Sequence, residues 1–146
     1  VHPDFASNRL IYLTLAQGTQ EANNTVVVRA RLSEDLSRLE QVQQIFVVPR
    51  AKSGAQHFGS RLLFLPDGSL LVSIGDGGNP PAALDGAPIR NQAQNGGAAF
   101  GKVLRLTDEG KPAPGNPLAG RAGALPEIYT LGHRNIQGMA WDAGRR

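Results

Sequence analysis

Few side chains in this sequence suit proton transfer, nucleophilic attack or metal ligation. It contains no cysteine, which excludes thiolate catalysis, thiolate zinc sites and disulfides. Three histidines remain, His2, His57 and His133, and they lack the paired spacing of a zinc site. His57 stands in Ala55-Gln56-His57-Phe58-Gly59-Ser60-Arg61, just ahead of an apolar run. His133 stands in Thr130-Leu131-Gly132-His133-Arg134-Asn135, just after one. Glycine-flanked positions at strand mouths are where a rigid sheet presents functional loops. Asp76, in Ser73-Ile74-Gly75-Asp76-Gly77-Gly78-Asn79, supplies a carboxylate at such a mouth. A carboxylate partner fixes an imidazole's tautomer and raises its basicity, as a general base requires. The same aspartate could instead cap its own Gly-rich turn, and each histidine could merely satisfy backbone groups in a turn.

The elements that would position these residues are short apolar runs bounded by turn residues, which read as strands. They fall at 9–15, 25–32, 44–48, 61–65, 70–74, 103–107, 128–131 and 138–141. Pro66-Asp67-Gly68-Ser69 joins the 61–65 and 70–74 runs as a tight turn, with Pro presetting φ and Gly accepting φ > 0. Antiparallel pairing of those two strands brings His57 and Asp76 to one edge of the sheet. Residues 33–40 predict one or two helical turns with Ser33 as N-cap, within a strand-to-strand connector. From 75 to 101 no strand period is visible, and structureless loops of that length are usually functional. A second Pro/Gly-rich connection covers 111–123.

Two motifs are decoys. Gly96-Gly97-Ala98-Ala99-Phe100-Gly101-Lys102 imitates a phosphate-binding loop. Val103 stands where Ser or Thr would bind magnesium, and a strand follows instead of a helix. Asn23-Asn24-Thr25 matches a glycosylation sequon by chance.

Composition sets the class. Hydrophobic residues make up 40% and charged residues 18%, with a formal net charge of +3. No apolar run approaches the roughly 20 residues of a membrane-spanning helix, and no Lys/Arg block suggests a nucleic-acid groove. Eighteen Gly and ten Pro imply a chain that turns often. A weak repeat organises it: His2-Pro3-Asp4-Phe5, Leu65-Pro66-Asp67-Gly68 and Trp141-Asp142-Ala143-Gly144. The aspartates mark intervals of 63 and 75 residues, each with about four short strands. Four-stranded antiparallel units in series predict an all-β fold built from β-propeller blades. Two blades cannot close a ring, so residues 1–146 read as one partial propeller domain, a two-to-three-blade segment of a six-bladed ring. Both ends cut through apparent structure, which predicts a piece of a longer chain. If the chain were complete, its open edges would favour self-association, three copies supplying about six blades.

The sequence resembles the soluble pyrroloquinoline-quinone (PQQ) glucose and aldose sugar dehydrogenases, with their glucose/sorbosone dehydrogenase relatives. The resemblance is densest in residues 57–62, Ile74-Gly75-Asp76, Gly101-Lys102-Val103-Leu104-Arg105-Leu106, Gly115-Asn116-Pro117 and residues 129–138. It implies a six-bladed β-propeller oxidising aldoses at the anomeric carbon to lactones, with an external electron acceptor. By this resemblance His57 is the general base, taking the proton of the anomeric hydroxyl while hydride passes to the quinone C5. Asp76 orients His57, Arg134 stabilises the developing oxyanion beside the quinone, and Asn135 contacts the cofactor. PQQ is the implied cofactor, and the implied calcium ion takes its ligands from outside this chain. The family also implies a periplasmic or secreted location.

Two departures stand out. Ile136 replaces the proline usual after Arg134-Asn135, which predicts a looser loop. Gln56 stands where glucose-specific members carry an acid, which weakens the expectation of glucose preference. The competing readings are a non-catalytic propeller serving as a protein-binding platform, or an inactive piece of the enzyme.

Overall fold

The computed structural model describes residues 1–144; Arg145 and Arg146 lie outside the described residues. The chain is all-β apart from a four-residue helix, α1 (Phe5–Asn8), and a 3₁₀ helix at Ile89–Gln94. Strands β1 (Leu10–Gly18), β2 (Asn23–Leu32) and β3 (Leu39–Val47) form a three-stranded antiparallel sheet in that order. A second antiparallel sheet has the order β4-β5-β8-β9, from β4 (Gly59–Phe64), β5 (Leu70–Ile74), β8 (Lys102–Leu106) and β9 (Ile128–Leu131). A small hairpin, β6 (Ala83–Leu84) with β7 (Ala87–Pro88), lies between β5 and β8. The second sheet is a four-stranded antiparallel unit as expected, whereas the first has three strands where the expectation is four. The four-stranded unit starts at β4, ahead of the Asp67 repeat mark.

Strand β5 is the centre of the molecule. All five of its residues are buried, and its Leu-Leu-Val-Ser-Ile run has no polar face, as a strand covered on both sides requires. Leu70, Val72 and Ile74 pack with Leu104, Leu106 and Ile128 of the same sheet and with Tyr12 and Val27 of the other. The sheets are also joined by hydrogen bonds from Thr14 Oγ1 to the Ser60 carbonyl (2.9 Å) and from Tyr12 Oη to the Asp108 carbonyl (3.0 Å). The other face of the first sheet stays open at Leu13, Leu15 and Val47, each about two-fifths exposed.

Four expectations are corrected. Residues 33–40 form no helix: Leu36 has φ 61°, and the Ser33 hydroxyl accepts from the Ser37 and Arg38 amides, closing a turn. Pairing with β2 starts β3 at Leu39, five residues before the expected 44–48 strand. Residues 138–141 are not a strand: after β9 the chain crosses to the far side of the sheet, where Arg61 Nε bonds the Gln137 carbonyl (2.5 Å) in place of a ladder. The stretch 75–101 is not structureless. Asp85-Gly86 turns the β6–β7 hairpin with φ of 53° and 78°, the left-handed pair such turns demand.

Two measurements check the packing. Leu104→Ala, at a position with no exposed surface, is expected to cost about 2–5 kcal/mol by urea unfolding. Asp67 accepts from the Ser69 hydroxyl and amide and from Arg105, which together hold its carboxyl down at about 2 against an ordinary 3.8. The depressed native value makes its stabilisation complete above about pH 4 and progressively lost as pH falls through about 2. In Asp67→Asn this part of the acid limb of stability against pH should be flatter.

Candidate active site

The β4–β5 pairing sets the site. Gly59 lies opposite Ile74, so the segment entering β4 and the segment leaving β5 meet at one sheet edge. There His57 Nδ1 lies 2.6 Å from Asp76 Oδ1. An ionised carboxylate only accepts, so Nδ1 carries a proton, and in the neutral imidazole Nε2 is the nitrogen with the lone pair. Asp76 is 5% exposed, and its Oδ1 also accepts from the Gly78 amide (3.0 Å). The two readings left open by the sequence therefore hold together: one carboxylate orients the imidazole and caps its own Gly-rich turn.

This approach depends on Gly75. A Cβ there would stand 1.8 Å from the His57 carbonyl oxygen, so any other residue would push the two segments apart. His57 itself has φ 49°, a left-handed conformation uncommon outside glycine and held here by its surroundings.

The segment after β9 completes the cluster. The Asp76 amide donates to the Arg134 carbonyl (2.7 Å), placing Arg134 beside the His57–Asp76 pair. The exposed guanidinium is steadied by Nη2 donating to Asn79 Oδ1 (3.1 Å). Asn135 Oδ1 accepts from the Gly59 amide (3.0 Å), leaving its NH₂ as the free donor. His57, Asp76, Arg134 and Asn135 are thus gathered at one edge from three separate stretches of chain. A hollow of about 690 Å³ lies alongside, lined by Gln56, Gly77, Asn79 and Pro80 among others, though not by His57 or Arg134.

The remaining candidates lie elsewhere. His133 Nε2 pairs with Thr130 Oγ1 (2.7 Å), and His2 Nδ1 accepts from the Asp4 amide and the Asn8 side chain. Lys102, last residue of the phosphate-loop imitation, is fully buried with Nζ donating to the Gln92, Ala93 and Phe100 carbonyls. Burial pushes its ammonium down to about 8. It anchors the 3₁₀ helix. Asn23 of the sequon is buried, with Nδ2 committed to the Thr19 and Gly54 carbonyls. Asn116 likewise ties the Arg105 and Pro126 carbonyls together. Among the described residues, no group of three or more His, Asp or Glu side chains is placed to hold a metal ion. Sequence reasoning missed Asn79 as the partner of Arg134; its position in Gly77-Gly78-Asn79 carried no signal of that pairing. The close approach at Gly75 was equally invisible, because it needs the strand register.

The glucose/sorbosone dehydrogenase family model matches residues 1–145. The chain belongs to that family of sugar dehydrogenases. It is 52% identical over 142 residues to an uncharacterized protein of Synechocystis sp., covering 97% of this chain and 34% of the relative. It is 36% identical over 140 residues to the aldose sugar dehydrogenase YliI of Escherichia coli, covering 94% and 35%. A solved glucose dehydrogenase superposes with a TM-score of 0.84 at 38% identity, covering 99% of this chain and 42% of the other. The PQQ-bound aldose sugar dehydrogenase of Streptomyces coelicolor gives 0.74 at 31% identity, covering 100% and 38%. The chain thus spans about a third of the length of the curated relatives it matches.

Gly75→Ala should lower stability by about 3 kcal/mol, at the upper end of overpacking costs. Gly138→Ala, where an added Cβ meets nothing within 4 Å, should stay within about 0.5 kcal/mol of the parent. Urea midpoints of the two variants measure the contrast.

Proposed function

We propose that this chain is part of a PQQ-dependent aldose dehydrogenase, oxidising the cyclic hemiacetal of an aldose to its lactone. The observation that carries the reading is the 2.6 Å His57–Asp76 contact with Arg134 bonded directly to its aspartate. Family membership and a PQQ-bound structural neighbour support the class of reaction and the cofactor. They favour an enzyme over a non-catalytic binding platform. On this reading the two sheets are segments of a six-bladed propeller, and the protein works in the periplasm or outside the cell.

The donor set suits a tricarboxylate quinone. An exposed guanidinium at Arg134, a free amide NH₂ at Asn135 and an unbonded His57 Nε2 offer a cation, a donor and a base. Bound PQQ would supply the two-electron acceptor for the hydride leaving the anomeric carbon, and calcium would be held by residues outside this chain. His57 Nε2 takes the anomeric hydroxyl proton. Asp76 keeps Nδ1 protonated and stabilises the imidazolium that forms, so the ring stays aligned through the transfer. Arg134 presents its fixed charge to negative charge building in the transition state, with Asn79 limiting its motion. Electrons leave to an external acceptor.

The test is reconstitution of the protein, at the length of its relatives, with PQQ and calcium, followed by turnover on a panel of aldoses with an artificial electron acceptor. His57→Ala should lower kcat by about 10²–10⁴-fold, and Asp76→Asn should fall in the same direction. Undiminished turnover in His57→Ala would remove the proposed base.

A further inference from the structure

We propose that Lys52 is a positioning residue for His57, holding the loop that presents the imidazole by bridging its two ends. The inference rests on the reading of His57 as the general base.

Lys52 is 4% exposed, an unusual place for an ammonium group. No carboxylate pairs with it among the described residues. Its Nζ donates to the Gly54 carbonyl (2.8 Å) and lies 4.0 Å from the centroid of the Phe58 ring. An aliphatic side chain would fill the same space without the cost of desolvating a charge. What the ammonium adds is a hydrogen bond and a cation–π contact made at the same time. One end of its contacts is two residues downstream, the other six, and Ala55-Gln56-His57 lies between them. Burial lowers the Lys52 pKa, the mark of an ammonium held away from water.

The bridge is anchored at both ends. The Lys52 amide and carbonyl pair with the carbonyl and amide of Asn23 in β2, each at 2.8 Å. Asn23 Nδ2 reaches the same Gly54 carbonyl that Lys52 holds (3.1 Å). At the other end the Phe58 carbonyl accepts from the Gly75 amide (3.1 Å). Between these anchors His57 keeps its left-handed backbone, a conformation that persists only where the surroundings over-determine it. The Lys52–Phe58 contact spans this interval, within which the Gln56 and His57 side chains are also held by the Asn79 amide and by Asp76.

Loss of the bridge should displace the ring against Asp76 without removing any group that touches substrate. A displacement of about 1 Å can cost on the order of 100-fold in rate. In the protein at the length of its relatives, reconstituted as above, Lys52→Met should lower kcat at least tenfold while KM for the aldose stays within about twofold. In ¹⁵N-labelled protein, the His57 Nδ1–H resonance should shift or broaden. Lys52→Arg, which keeps a cation over the ring, should recover most of the activity. If Lys52→Met does not fold, Phe58→Leu removes the same contact and should move the same resonance. A folded Lys52→Met or Phe58→Leu with an unchanged His57 resonance overturns the proposal, whatever its turnover. Absence of PQQ-dependent turnover in the parent, with the resonance still displaced in the variants, would sink the proposed function and leave the positioning role standing.

Discussion

The site exists because two backbone segments approach more closely than any side chain would permit. Gly75 leaves the central strand β5 directly against the His57 carbonyl, and this contact draws Asp76 under the imidazole. Everything else at the sheet edge is arranged around it. The Gly75 amide holds the Phe58 carbonyl, its carbonyl accepts from Gly101, and Gly101 in turn accepts from the His133 amide. A short chain of main-chain hydrogen bonds thus links β4, β5, β8 and the segment carrying Arg134. Backbone contacts of this kind are stiffer than side-chain ones, which suits the role proposed for His57.

The hydrophobic core explains why that edge can be rigid. Strand β5 is buried on both faces, between β4 and β8 and beneath the first sheet. Its C-terminal end is therefore anchored before it turns into the glycine-rich segment. The site is built where the most buried strand of the molecule runs out, and the Gly77-Gly78 turn begins only after Asp76 is in place.

Much of this was legible in the residues and some was not. The 61–65 and 70–74 runs with Pro-Asp-Gly between them gave the hairpin, and the hairpin gave the meeting of His57 with Asp76. Arg134 could be brought there only by resemblance, since no local pattern reports that β9 pairs with β8 and returns the chain to Asp76. The strand expected at 138–141 fails for the same reason, because no neighbouring strand offers it a ladder partner and most of its residues, Trp141 among them, stay exposed. The β6–β7 hairpin is different: Asp85-Gly86 is a strong turn signal, masked by strands only two residues long. Lys52 stayed hidden because a lysine in a polar loop ordinarily reads as solvent-exposed.

Asn23 carries one more consequence. Its side-chain nitrogen is the atom a glycosylating host would modify, and it is also the atom spent on the Thr19 and Gly54 carbonyls. Sugar transfer and folding therefore compete for a single amide. In a eukaryotic secretory pathway, where transfer precedes compaction, a chain decorated at this position could not seat β2 against the 52–54 loop. Bacterial production avoids the competition, and an altered asparagine would be the first place to look if yeast-made material proved unstable.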